Sequence, residues 1–233
     1  MSDQESNILF GGVDAAKFSG DLVTLDIELD KTDGPHDGTY SEMMLNVTGF
    51  AANIGGSTSS VLDRNVTALL DTGVNGIRVP MHLYDAIAPE LPLLNATDEE
   101  MDDWGTVYPV VLCDYDSSNT SFTITLSDDN GKSADIDVPV SELITPIYSG
   151  AKNSTVLAMR DGQPICDFGL WYTHFGYDMM LGDSFLRSAY TFFNLDQKTI
   201  SLAQAVYNTT ATWIVPIGPG PVPAMTGNGT LSL

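Results

Sequence analysis

Short runs of alternating apolar and polar residues recur along the chain. Residues 22–27, 122–126 and 134–138 each place an apolar side chain at about every second position, which is the period of a strand with one buried face. Turn-forming residues separate such runs, as at 33–35 and 129–131. The pattern predicts an all-β fold.

Helical patterns are few and short. Residues 81–87 follow Pro80, and proline is favoured where a helix begins, so we predict a helix there. Residues 141–143 are expected to form one further helical turn. With 233 residues and no internal repeat, the chain is long enough to bury a core as one domain.

The chain is strongly acidic, with 31 Asp and Glu residues against 9 Lys and Arg and a formal charge of -22. This charge argues against nucleic acid or an anionic membrane surface as a partner. It fits either a solvated acidic surface or adaptation to acid, where many carboxylates are neutral. The histidines His36, His82 and His174 lack metal-ligand spacing, and no phosphate loop is present. We therefore expect no metal and no cofactor.

Glycosylation sequons are more frequent than the composition explains. Seven of the 12 asparagines begin Asn-x-Ser/Thr, namely Asn46, Asn65, Asn95, Asn119, Asn153, Asn208 and Asn228. The excess indicates passage through the secretory pathway. Residues 1–5 have neither the basic start nor the apolar run of a signal peptide. We interpret the chain as part of a longer precursor that is secreted or held at the cell surface or cell wall.

The candidate chemistry lies at residues 68–73. Two leucines lead a predicted strand into Asp71-Thr72-Gly73, and a hydrophobic run resumes at Ile77. This layout presents one carboxylate on a turn at the end of a buried strand. Two carboxylates held about 3 Å apart share one proton and can activate a water between them. The chain contains one Asp-Thr-Gly and no Asp-Ser-Gly.

A second motif gives the Asp-Thr-Gly turn a context. Residues 177–196 hold an apolar pair and a glycine, Met180-Leu181-Gly182, and a short helical segment follows. Residues 8–14, the Asp71 turn and residues 177–196 follow one another along the chain in that order. With these motifs the sequence closely resembles the C-terminal lobe of pepsin-like aspartic proteases, nearest to fungal secreted or cell-surface members. The resemblance implies one all-β lobe of a bilobal fold, in which the Met180 strand crosses behind the Asp-Thr-Gly loop.

The resemblance also implies roles for individual residues. They are Asp71 as the catalytic residue, Thr72, Gly73 and Val74 as loop support, and Leu69, Gly73 and Met180 as substrate contacts. By periodicity alone, Leu69 and Met180 are core residues. Val74 departs from the family, which has a Ser or Thr there whose hydroxyl binds the catalytic carboxylate. Asn75 is a candidate substitute for that donor.

Two further assignments concern the cysteines and the C-terminal residues. Cys113 and Cys166 allow either one disulfide or two buried thiols, and the resemblance favours the disulfide. Residues 216–223 are rich in proline, which lacks the N–H donor that a sheet needs, so we predict that they do not pair. We assign residues 1–206 to the lobe and 207–233 to a flexible Pro/Gly-rich extension.

Three functions fit these features. The first is an aspartic endopeptidase that cleaves proteins or peptides, in which this chain supplies the second Asp and an N-terminal lobe supplies the first, in cis or in trans. The chain alone is then expected to be inactive. The second is a non-catalytic pepsin-like homologue or truncated lobe that binds a peptide or partner without cleaving it. The third is a homodimer of the retroviral kind, which fits less well because such chains are much shorter.

Overall fold

The computed structural model describes residues 8–29, 42–94, 109–147, 157–173 and 177–228. The strands are β1 Gly12–Asp14, β2 Phe18–Asp26, β3 Met44–Ile54, β4 Ser57–Ser60, β5 Val66–Leu70, β6 Ile77–Val79, β7 Val110–Leu112, β8 Thr120–Ser127, β9 Ser133–Pro139, β10 Ile144–Pro146, β11 Met159–Arg160, β12 Gln163–Phe168, β13 Leu170–Tyr172, β14 Met179–Leu181, β15 Ala189–Asn194, β16 Thr199–Ala205, β17 Ile214–Pro216 and β18 Thr226–Asn228. The helices are α1 Met81–Ile87 and α2 Asp183–Ser188, with 3-10 turns at Ala88–Glu90 and Val140–Leu143. The all-β prediction with few short helices is confirmed. In the ranges described, no helix has the length and apolar character needed to cross a membrane.

The main sheet has the strand order β13-β6-β14-β5-β3-β8-β9, with β4 paired to β3. Its β8–β9 hairpin shows why alternation predicted strands here. Phe122, Ile124 and Leu126 are fully buried, whereas the residues between them are partly exposed. Burying one such side chain contributes roughly 2–3 kcal/mol, which fixes the register, because a slip by one residue would turn these side chains to solvent.

A second sheet, in the order β15-β16-β2-β18, closes the other side of the core. Leu25 of β2 and Ile200 and Leu202 of β16 are fully buried in the same cluster as the β8 side chains. A smaller sheet joins β12 to β7, β10 and β11. There Cys113 and Cys166 form the disulfide that the resemblance implied, 53 residues apart. Closing a loop of that length contributes roughly 4 kcal/mol in the chain-entropy account.

The C-terminal residues pair with the lobe at two places. Strand β17 pairs with β1, setting Pro216 opposite Gly12, and β18 pairs with β2. The prediction that 216–223 do not pair is therefore wrong at Pro216. The strand lies at the edge of a two-stranded sheet, where a missing N–H is tolerated. The buried Asp14 carboxylate also accepts the Trp213 N–H at 2.6 Å. The boundary between residues 206 and 207 stays a prediction.

Candidate active site

Strand β5 positions Asp71. Ala68 and Leu70 on this strand are buried in the core, and Asp71 is the next residue. Strand β14 lies between β5 and β6, parallel to β5 and antiparallel to β6. The Asp71 N–H donates to the carbonyl oxygen of Leu181 at 3.1 Å. The strand that contains Met180 thus crosses behind the Asp-Thr-Gly loop, as the resemblance implied.

The turn itself orients the carboxylate. The Gly73 N–H donates to Asp71 Oδ1 at 2.8 Å, and the Val74 N–H donates to the Asp71 carbonyl oxygen at 3.2 Å. A Cβ at position 73 would lie 3.1 Å from the same Oδ1, so glycine leaves room around the oxygen. Thr72 and Gly73 are exposed and Asp71 is partly exposed. The carboxylate is therefore held at an open surface where a ligand can reach it.

Two glycines allow the backbone to pack tightly beneath the turn. A Cβ on Gly182 would lie 2.1 Å from the Val74 carbonyl oxygen, and one on Gly76 would lie 2.1 Å from the Gly169 carbonyl oxygen. Real Cβ atoms do not approach backbone so closely, so no other residue fits either position without a backbone shift. The sequence correctly predicted that the motif containing Gly182 lies behind the Asp-Thr-Gly loop. It did not predict the contact between Gly76 and Gly169. The signal for Gly76 was a glycine directly before a buried strand.

The start of α2 braces the loop from behind. The Asp183 N–H donates to the Val74 carbonyl oxygen at 2.7 Å. The buried Ser184 hydroxyl lies 2.9 Å from the Asn75 carbonyl oxygen and 2.8 Å from that of Glu142. Since one hydroxyl has one proton, it serves these two acceptors in a shared bond. Sequence reasoning missed Ser184, because a serine inside an otherwise apolar motif gives no sign of its partners.

Arg187 on α2 completes this brace. Its guanidinium donates from Nε to the Glu142 carboxylate at 2.7 Å and also bonds Asp183. Burial alone lowers the pKa of Arg187, but the hydrogen bonds and charges of these two carboxylates outweigh burial and raise that pKa. The residue therefore stays charged and ties α2 to the turn at 140–143. These contacts give Arg187 a structural role.

Val74 is buried, and its side chain has no donor for Asp71. The Asn75 side chain donates no hydrogen bond to the carboxylate either, within the ranges described. The candidate substitution by Asn75 is not observed. In this structure the Asp71 carboxylate accepts a hydrogen bond from the Gly73 N–H of its own loop.

Leu69 and Met180 are opposite each other on β5 and β14. Leu69 is buried, whereas Met180 remains partly exposed. Leu69 is two residues before Asp71, so in an extended strand both side chains project from one face. The two residues thus lie on paired strands next to the Asp71 turn, and their contact with substrate stays a proposal. In the described ranges, no group of three His, Cys, Asp or Glu side chains is arranged to hold a metal ion.

The asparagines of the sequons differ in exposure within the described ranges. Asn65, Asn119 and Asn208 are exposed. Asn46 differs, because it lies within β3 and its Nδ2 donates to Glu28 Oε1 at 2.7 Å. The backbone of Asn228 belongs to β18. Asn95 and Asn153 lie outside the described residues, as does the turn predicted at 33–35.

Comparison with known proteins supplies the context of this geometry. The family model for eukaryotic aspartyl proteases matches residues 1–205. A probable aspartic-type endopeptidase OPSB of Arthroderma benhamiae is 30% identical over 231 residues, covering 97% of this chain and 43% of the relative. Its counterpart opsB of Aspergillus fumigatus is 32% identical over 233 residues, with the same coverage.

A third relative, secreted aspartic protease 3 of Candida albicans, is 32% identical over 202 residues, covering 87% of this chain and 42% of the relative. The chain thus spans less than half the length of the curated relatives it matches. The match to the family model covers most of the sequence and includes both the Asp71 turn and the β14 motif. The chain belongs to the eukaryotic aspartyl protease family.

Proposed function

We propose that this chain is the C-terminal lobe of an aspartic endopeptidase and supplies one of two catalytic carboxylates, Asp71. The observation that carries the proposal is the Asp71 turn, held at an open surface by the crossing strand β14 and by the Gly73 N–H. Such rigidity suits a group that must act at fixed geometry without reorganising. Asp71 is then the second Asp of the pair, and an N-terminal lobe supplies the first, in cis or in trans.

The proposed reaction uses one proton shared by two carboxylates. The ionised carboxylate takes a proton from a water as the water oxygen bonds to the scissile carbonyl carbon. The protonated carboxylate gives its proton to the carbonyl oxygen. Collapse of this tetrahedral species breaks the C–N bond as the leaving nitrogen takes the proton gained from water. One hydroxyl of the species gives its proton to the other carboxylate, which restores the shared proton and leaves a carboxylic acid and an amine. Asp71 is one of the pair, and Gly73 leaves space for the peptide next to it.

The need for a partner lobe is supported by the sequence and by the relatives. The chain has one Asp-Thr-Gly, and its matches cover less than half of each relative named above. We expect the chain alone to show no pepstatin-sensitive cleavage of an unstructured protein at acid pH. Turnover by a monomeric preparation, with the mass measured in the same buffer, would contradict this. Turnover by a dimer alone would favour the homodimer.

One observation favours a second function, binding of a peptide or partner without cleavage. Val74 gives the carboxylate no hydroxyl donor, and the Asn75 side chain does not replace it. Replacing Asp71 by Asn discriminates the two functions, because it removes the base and keeps the size of the side chain. Loss of cleavage with retained peptide binding supports the protease. Full retention of every measurable activity in D71N supports the binding protein.

We further propose that the protein is secreted or held at the cell surface or wall. The exposed sequons, the disulfide and the secreted Candida relative support this. Enzymatic removal of N-glycans should lower the mass of the protein purified from its own host. The Asn119→Gln variant should lose one glycan, whereas Asn46→Gln is expected to lose none because Asn46 is partly buried in β3.

A further inference from the structure

A row of side chains crosses the main sheet next to Asp71. Trp171 on β13 is opposite Arg78 on β6, Arg78 is opposite Met180 on β14, and Met180 is opposite Leu69 on β5. Directly paired residues project from the same face of a sheet. Their chain neighbours Leu170, Ile77, Leu181 and Leu70 all belong to the core. The row therefore occupies the opposite face, the one from which the Asp71 side chain projects.

Arg78 is the charged member of this row, and no carboxylate in the described ranges pairs with its guanidinium. Its Cζ lies 5.4 Å from the centre of the Trp171 ring, a cation–π contact. Its Nε is buried with no hydrogen-bond acceptor, and no carboxylate of the described residues forms an ion pair with it. The residue as a whole is partly exposed.

The lack of an acidic partner among the described residues is informative because carboxylates far outnumber cations in this chain, with 31 acidic residues against 9 basic ones. A buried donor without an acceptor destabilises the protein. The Arg78 side chain remains partly exposed, and a guanidinium favours planar, two-pronged contact with a bound carboxylate. The contact with Trp171 orients the group beforehand, so less side-chain entropy is lost on binding.

The position of Arg78 sets which part of a ligand it can reach. Neighbouring strands are about 4.8 Å apart, so Arg78 is about 10 Å from Leu69 across two strand spacings. An extended peptide advances about 3.4 Å per residue. A peptide whose scissile bond lies at Asp71 thus brings a side chain about three residues away, or nearer, to the guanidinium.

We propose that Arg78 is a specificity-determining residue that binds the carboxylate of an Asp or Glu side chain of the peptide substrate, within about three residues of the scissile bond. Trp171 holds the guanidinium, and Met180 offers apolar contact to the methylene groups of the ligand. The inference rests on the proposed function, because the scissile bond is placed at Asp71.

The overall charge of -22 opposes this preference only weakly. At 0.1 M salt, charges more than about 10 Å away are largely screened, whereas a contact with Arg78 is not. At acid pH many surface carboxylates are also neutral. The substrate Glu must itself be ionised, and its ordinary pKa is about 4.3. The preference is therefore expected at pH 5.5 and lost at pH 3.

The test uses octapeptides with one cleavage site and either Glu or Gln at each position in turn. The protein that carries this chain with its first lobe is compared as wild type, Arg78→Gln, Arg78→Lys and Arg64→Gln. Arg64 is exposed and lies before β5, at the end of that strand remote from Asp71, so Arg64→Gln matches the change in charge. The measured quantity is the kcat/KM ratio of each Glu peptide to its Gln partner.

We expect a ratio of about 10 at one position within three residues of the scissile bond, because hydrogen bonds to charged groups are the stronger class. It should fall to about 1 in Arg78→Gln, partly survive in Arg78→Lys, stay near 10 in Arg64→Gln and vanish at pH 3. A ratio near 1 at every position in wild type overturns the inference and leaves the protease function standing, even where a variant fails to fold.

If no peptide is cleaved, the proposed protease function is wrong, but the role of Arg78 is not yet decided. Equilibrium binding then tests it. The same Glu and Gln peptides are then titrated calorimetrically against wild type and Arg78→Gln. Tighter binding of the Glu peptide that depends on Arg78 supports the carboxylate site. Equal Kd values for the two peptides overturn it.

Discussion

Replacing Asp167 by Asn should stabilise this lobe near neutral pH and leave its stability in acid unchanged. Asp167 lies in β12 between β10 and β7, opposite Thr145 and Val110. Its Oδ1 is buried without a hydrogen-bond partner in the part of the chain that the structure describes. Burial raises the pKa of Asp167 from 3.8 to about 6, although a hydrogen bond from the backbone of Phe168 lowers it in part.

The magnitude follows from proton linkage. A difference of about 2 pKa units corresponds to about 3 kcal/mol, at 1.36 kcal/mol per unit. Because the folded-state pKa is the higher one, the folded state binds more protons than the unfolded state between about pH 4 and 6. The carboxyl therefore costs nothing below pH 4, and the free energy of unfolding falls as the pH rises to about 6. Above that pH the cost is constant.

Urea unfolding at pH 3.5, 5 and 7 measures this term. Asp167→Asn should match wild type at pH 3.5 and gain up to about 3 kcal/mol at pH 7. Asp129→Asn is the control, since Asp129 is exposed in the β8–β9 turn; this variant keeps Asp167, so its stability should follow the wild-type pH dependence. A difference between Asp167→Asn and wild type that stays constant from pH 3.5 to 7 would refute the reasoning.

Three further changes test the architecture by urea unfolding. Gly182→Ala should lower the free energy of unfolding by about 3 kcal/mol or more, because its Cβ would lie 2.1 Å from a backbone oxygen. Gly218→Ala, where the Cβ has no atom within 4 Å, should change it by less than about 0.5 kcal/mol. Equal effects of the two changes would contradict the packing under the turn. Ser184→Ala should cost about 1–3 kcal/mol through the carbonyls left unpaired, and no loss would show that they find other donors. Replacing both Cys113 and Cys166 by Ala should lower the free energy of unfolding by about 4 kcal/mol. Unchanged stability would show that the disulfide does not stabilise the fold.

Local patterns predicted the local elements well. Alternation at 122–126 and 134–138 located strands β8 and β9, because each strand has one face in the core. Residues 81–87 form α1 as expected, and Val140–Leu143 forms the short turn predicted at 141–143. In each case the side chains of the segment itself decide the structure.

Features that depend on distant partners could not be predicted in this way. Alternation does not show that β14 inserts between β5 and β6, which the family resemblance implied instead. The pairing of Pro216 with Gly12 depends on an edge that becomes available only in the folded lobe. The partners of Ser184 and Arg78 are distant in the sequence, and only the folded chain brings them together.

The central claim is that Asp71 is a catalytic carboxylate, and the kcat/KM of Asp71→Asn relative to Asp129→Asn tests it most directly. Both variants remove one negative charge, and Asp129 lies in the exposed β8–β9 turn. When the chain is assayed together with the proposed first lobe, in cis or in trans, we predict that Asp71→Asn lowers kcat/KM at least about 10³-fold while Asp129→Asn stays close to wild type. Equal kcat/KM in the two folded variants would contradict the claim.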